Sequence, residues 1–169
     1  MTTPEAFAVR LARVADVDCM VDHYSRVAEE GRWIAGEAPV DREGRRVAFL
    51  GSIGADDVLT LVAEDDGGRI VAMLAAFAHH SGVAELGMSV DADRRGRGIG
   101  TALLQACIDW ARAEGLHKLS LEVFPHNEPA LSLYRKVGFQ EEGRLRAHYR
   151  RASGELWDAI VMGLRIDAS

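Results

Sequence analysis

Apolar positions along this chain follow two rhythms. Alternating or continuous apolar runs at 7–11, 58–64, 69–78, 84–90 and 118–123 predict strands. Helical spacing recurs four times. Asp16 is placed to cap a helix presenting Met20, Tyr24, Val27 and Ala28, with Gly31 after its end. A second helix follows Pro39 and carries Val47, Ala48 and Leu50. Ile99, Leu103, Cys107 and Trp110 share one face of a third, which runs to Glu114. In the fourth, Asn127 caps the start, Glu128 and Pro129 suit the first turn, Ala130, Leu133, Tyr134 and Val137 share a face, and Gly138 suits the left-handed exit. Turn signals at Asp65-Asp66-Gly67-Gly68 and Ser153-Gly154 fold 58–64 onto 69–78, and 139–150 onto 155–164, as hairpins. The order is strand, two helices, three strands, helix, strand, helix, two strands. It predicts an α/β sandwich around one mixed sheet.

Composition narrows the function classes. With 169 residues the chain is expected to form one domain, 1–169, free of repeats and linkers. A net charge of −6 argues against general nucleic-acid binding and modestly favours a cationic substrate. The longest apolar run, 70–78, is strand-length, so no membrane span is expected and a cytoplasmic location is. Cys19 and Cys107 fall in helical patterns and are expected as buried free thiols. His79-His80 lacks further ligands at metal spacing, so no metal site is expected.

The segment Arg94-Arg95-Gly96-Arg97-Gly98-Ile99-Gly100 joins the 84–90 strand to the third helix. Glycines permit close backbone approach, the first amides of a helix point outward unpaired, and the helix dipole adds positive potential there. This combination suits a diphosphate. A Walker A loop would need a lysine that is missing here. The glycines at 96, 98 and 100 also miss the dinucleotide spacing, although Glu122 stands at a suitable distance beyond them. Too little chain follows Glu122 for a second mononucleotide-binding half.

Together, Arg95, Gly98 and Gly100, followed by Asn127, Ala130, Leu133, Tyr134, Gly138 and Phe139, resemble the GCN5-related N-acetyltransferases. The resemblance is clear over roughly the second half of the chain. It implies a sheet whose central strands splay, with acetyl-CoA entering the cleft. Backbone groups of Met88 and Val90 would then bond the pantetheine arm. Arg95, Gly96, Arg97, Gly98, Ile99, Gly100 and Thr101 would hold the diphosphate, with Arg94 either reaching a phosphate or facing water. Asn127 would contact the cofactor as well as cap its helix.

The chemistry the resemblance implies is direct attack of a primary amine on the thioester. The amine must first lose a proton, which a carboxylate can take, and the departing thiolate gains from a phenol. Tyr134 is the expected acid. Glu122 and Glu85 compete as base; Glu122 matches the bacterial ribosomal-protein alanine N-acetyltransferases, whereas other family members carry a glutamate where Glu85 stands. The expected acceptor is a small metabolite, an amino acid or related amine, with Trp33 as a wall of its pocket. A protein N-terminus or lysine is the alternative, weakened by the Phe124-Pro125-His126 insert. A non-catalytic acyl-CoA-binding module is the reading from another class. Many relatives pair as homodimers through terminal strands, where Trp157 is expected to contribute.

Overall fold

A computed structural model of the chain describes residues 6–166; the ends of the expected 1–169 domain lie outside the described residues. In chain order the elements are β1 (Phe7–Leu11), α1 (Val17–Glu29), α2 (Arg42–Ser52), β2 (Val58–Asp65), β3 (Ile70–Ala78), β4 (Val83–Val90), α3 (Ile99–Ala113), β5 (Lys118–Val123), α4 (Glu128–Val137), β6 (Gln140–Arg150) and β7 (Leu156–Arg165). The strands form one mixed sheet in the order β1-β2-β3-β4-β5-β7-β6. Each expected strand and helix is present, with boundaries moved by a residue or so.

Both faces of the sheet are covered. Leu103, Leu104, Cys107 and Ile108 of α3 pack with Leu131 and Tyr134 of α4 on one face. On the other, Val17, Met20 and Val21 of α1 and Phe49 of α2 pack on Val62, Ile70 and Met73. Double coverage explains why β2 and β3 read as nearly unbroken apolar runs. Each fully buried leucine in these layers contributes about 2 kcal/mol of apolar burial.

The β4–β5 ladder determines where a ligand can enter. These two parallel strands, joined through α3, pair only over Val83–Leu86 with Lys118–Leu121. Beyond that point β4 pairs only with β3, and β5 only with β7. The strands therefore part toward their C-terminal ends, where open α/β sheets bind ligands. The Asp91 N–H donates to the Val71 carbonyl on β3 at 2.8 Å. Successive strand peptides point to opposite edges, so the N–H and C=O groups of Val90 and Met88 face the cleft.

Several local expectations are corrected. Asp16 does not cap α1 through its side chain; its carboxylate instead accepts bonds from Arg10 at 2.7 and 2.8 Å. On α2, Val47 is 60% exposed and Leu50 38%, while Phe49 is buried. Leu104, Ile108 and Ala111 join the buried face of α3, and Trp110 stays at its margin. Leu131 is the buried partner of Tyr134 on α4, with Ala130, Leu133 and Val137 only partly covered. Cys107 is buried as expected, but Cys19 is exposed, because it lies on the polar side of α1.

Candidate active site

The parted strands enclose a cavity of about 640 Å³. At one end stands the loop before α3. Gly96 and Gly98 adopt φ of 73° and 82°, in the left-handed region that other residues resist. No heavy atom lies within 4 Å of where a Cβ would project at either glycine. Gly98 is the N-cap and supplies no side-chain cap, which leaves the first amides of α3 without a side-chain partner there. Gly96, Gly98, Ile99, Gly100 and Thr101 all line the cavity. A Cβ on Gly100 would stand 2.8 Å from Leu133 Cδ2 and 3.4 Å from Met88 Cε, so glycine is what lets α3, α4 and β4 close together here. These residues fit a diphosphate.

The arginines behave less uniformly than the motif suggests. Arg95 lines the cavity, yet its guanidinium is spent on Glu30 at 2.6 and 2.8 Å, and its Nε donates to the Val90 carbonyl at 3.0 Å. The Glu30 carboxyl is held below its ordinary range, chiefly by the Arg95 bond. Arg94 pairs with Asp65 at 2.9 Å. Arg97 is solvent-exposed and stands outside the lining residues. The cavity end at the α3 entry is therefore built more from backbone amides than from guanidinium groups. Asn127 lines the cavity and also caps α4, accepting a bond from the Ala130 N–H at 3.3 Å.

Tyr134 projects from α4 into the same cavity, its ring packed edge-on against Phe139. Burial pushes its phenol up to about 12. It therefore stays protonated at neutral pH, as a hydrogen-bond donor must. From the sheet come Glu85 on β4 and Glu122 on β5. Glu85 aligns with Ser120, two residues before Glu122, so both carboxylates rise from one face of the sheet. Glu122 accepts a 2.6 Å hydrogen bond from the Tyr149 hydroxyl. Burial raises the Tyr149 phenol to about 12, reinforced by that bond and by the charges of Glu122 and Glu85. Glu85 is half-exposed, with His79 Nε2 3.9 Å away.

Trp33, Phe124 and Tyr149 bring aromatic rings to the cavity lining. Phe124 stacks on His126 with centroids 5.5 Å apart, and meets Tyr149 and Trp157 edge-on at 5.3 and 5.1 Å. His126 bonds the Arg32 carbonyl at 2.8 Å and lies 6.3 Å from Trp33, which lines the cavity. Buried Arg151 lies over Trp157 at 4.2 Å and donates to the Ala35 carbonyl at 3.0 Å. The Trp157 ring joins this cluster and stays partly exposed. Arg151 and Tyr149 were not singled out by sequence reasoning. Tyr149 aligns with Trp157 in the β6–β7 ladder, and Arg151 follows the end of β6.

A second group that sequence reasoning missed lies beneath the end of β4. His23, fully buried on α1, sits 2.8 Å from both Asp91 and Ser89. A carboxylate only accepts, so Nδ1 donates to Asp91. Arg26 and Arg69 also bond Asp91. Burial alone would raise the Asp91 carboxyl; the bonds from His23, Arg26 and Arg69 outweigh it and hold the group at about 2. The network anchors the stretch of β4 whose edge faces the cleft. Among the described residues no cluster of three or more metal-type ligands occurs, and no helix is long and apolar enough to cross a membrane.

Comparisons with known proteins agree with this geometry. Residues 21–139 match the model of the acetyltransferase (GNAT) family. The chain is 30% identical over 165 residues to the L-methionine sulfoximine/L-methionine sulfone acetyltransferase of Pseudomonas aeruginosa, covering 95% of each. Over 75 residues, 44% of each chain, it is 47% identical to the N-alpha-acetyltransferase RimI of Mycobacterium tuberculosis. A phosphinothricin acetyltransferase from Sinorhizobium meliloti, solved with acetyl-CoA, shares the fold at a TM-score of 0.83 and 22% identity, over 95% of this chain and 88% of that one. Acetyl-CoA is the acyl donor of such enzymes. With a family match spanning most of the described residues and a cleft of matching construction, this chain belongs to the GNAT family of N-acetyltransferases.

Proposed function

We propose that the protein transfers acetyl from acetyl-CoA to the primary amine of a small metabolite, an amino acid or related amine, by direct attack. One observation carries this reading: a single cavity is lined by the α3 amides, Tyr134 and Glu122. When bound, acetyl-CoA supplies the thioester. The amides of Gly98 to Thr101 bind its diphosphate, with Gly96 and Arg95 shaping the loop, and the cleft-facing backbone of Met88 together with the Val90 N–H bonds the pantetheine arm, the Val90 carbonyl being held by Arg95. Glu122, oriented by Tyr149, takes the proton that makes the amine nucleophilic, with Glu85 as the rival base. As nitrogen bonds to the carbonyl carbon and the carbon–sulfur bond breaks, Tyr134 donates its proton to sulfur. The nitrogen gives up its second proton as the amide forms, and Tyr134 is reprotonated. One proton is released overall.

The match over 95% of each chain to an acetyltransferase named for L-methionine sulfoximine and L-methionine sulfone, against a match over 44% to RimI, supports a small acceptor over a protein N-terminus. The reading places the enzyme in the cytoplasm, with homodimerisation through the exposed edge strand β6. Thiol release from acetyl-CoA, measured against a panel of amines and peptides, tests it. Tyr134→Phe and Glu122→Gln should each lower kcat about a hundredfold while acetyl-CoA affinity holds within twofold. Cofactor binding without turnover across the panel would overturn the reading in favour of a non-catalytic acyl-CoA-binding module. Turnover of peptides alone would shift the substrate to protein.

A further inference from the structure

Where β4 meets α1, a hydroxyl, an imidazole and a carboxylate stand in a chain that acetyl transfer does not use. Ser89 Oγ lies 2.8 Å from His23 Nε2, and His23 Nδ1 lies 2.8 Å from Asp91 Oδ1. Nδ1 donates to the carboxylate, so in the neutral ring Nε2 accepts and the Ser89 hydroxyl donates to it. Anchoring β4 does not require this chain, because Arg26 and Arg69 already bind Asp91. Of these five residues Ser89 alone lines the cavity, while His23 and Asp91 are buried behind it. Val27, one turn beyond His23 on α1, lines the cavity beside it.

A hydroxyl bonded to a base that a third group orients is the arrangement of an activated nucleophile. Both ring nitrogens of His23 are engaged, which fixes the ring. Arg26 and Arg69 help to keep Asp91 ionised, so the carboxylate goes on holding the tautomer a general base needs. The charge that forms on an attacked carbonyl also needs a donor beside the nucleophile. Ser89 is in register with Met73, and the Asp91 N–H bonds the Val71 carbonyl, so both face β3. The intervening Val90 N–H therefore turns to the cleft. The N–H of the residue after a nucleophilic serine is a recurrent oxyanion donor.

We propose that Ser89, with His23 as its base and Asp91 as the positioning residue, is a second nucleophilic centre that hydrolyses small carboxylic esters entering the cleft. As Ser89 Oγ bonds to the ester carbonyl carbon, its proton passes to His23 Nε2, and negative charge gathers on the carbonyl oxygen beside the Val90 N–H. The bond from carbon to the alcohol oxygen then breaks, and His23 gives the proton to that departing oxygen. Water attacks the acyl-Ser89 ester and yields a proton to His23, which returns it to Ser89 Oγ as the carboxylic acid leaves. Arg26 and Arg69 oppose positive charge on His23, so the turnover is slow. This activity shares the cleft with acetyl transfer and does not depend on it.

Hydrolysis of 4-nitrophenyl acetate in the absence of coenzyme A, followed by nitrophenolate release, tests the proposal. Ser89→Ala should lower kcat/KM by about tenfold or more, with cooperative thermal unfolding as the check on folding. Phenylmethylsulfonyl fluoride gives a second readout that needs no variant: peptide mass analysis of the treated parent protein should place the sulfonyl adduct on Ser89. Hydrolysis undiminished in a folded Ser89→Ala protein, or a parent protein left unlabelled at Ser89, overturns the proposal and leaves the chain of bonds as an anchor for β4.

Discussion

Replacing Asp91 with asparagine perturbs the buried network under β4 while nearly conserving its shape. The carboxyl, 2% exposed, is held at about 2 against an ordinary 3.8 by His23, Arg26 and Arg69. A folded-state pKa below the unfolded value stabilises the protein above the unfolded pKa, and that stability is lost as pH falls through the folded one. A depression of nearly two units corresponds to about 2 kcal/mol at neutral pH. Asparagine has no such charge at any pH. It retains an oxygen for the His23 Nδ1–H, and the arginines, with side chains about 40% exposed, can turn to water. The stability gap between parent and Asp91→Asn should therefore be about 2 kcal/mol at pH 7. It should narrow by about 1 kcal/mol near pH 3 and close by about pH 2. Urea unfolding of both proteins at each pH, with m-values compared, measures the gap directly. Other carboxylates titrate alike in both proteins and cancel. A gap constant from pH 7 to pH 3 would refute the assignment of the shift to this network.

Two further outcomes follow from the packing. Burial raises the Cys107 thiol to about 12 while Cys19 is exposed, so an alkylating reagent at neutral pH should label Cys19 alone, as read by intact mass; labelling of both in the folded protein would contradict the burial. Gly100→Val would press a side chain into Leu133, costing about 1–3 kcal/mol in thermal or urea unfolding and raising KM for acetyl-CoA at least tenfold. An unchanged KM would mean that the entry to α3 does not seat the cofactor.

The sequence made the scaffold legible because each element carries its own period and punctuation. Asn127 and Gly138 bracket α4 where their cap chemistry requires, and the glycines at 96 and 98 take the left-handed conformations that only they adopt cheaply. What escaped was tertiary. Arg95 reads as a phosphate ligand, yet its charge goes to Glu30, 65 positions away in the chain. His23 reads as one more residue of an amphipathic helix until Asp91 and Ser89 fold beneath it. Tyr149 gains meaning only from β7, which lies between its strand and that of Glu122. Cys19 shows the same limit from the other side, since a helical pattern locates an apolar face but does not rank its margins.

A crystal structure of the protein with coenzyme A is the most direct measurement of how this cleft works. The diphosphate oxygens should lie within hydrogen-bond distance of the amides from Gly98 to Thr101, the pantetheine along the edge of Met88 and Val90, and the sulfur beside the Tyr134 hydroxyl. A nucleotide seated away from the α3 entry, or a sulfur remote from Tyr134, would contradict it.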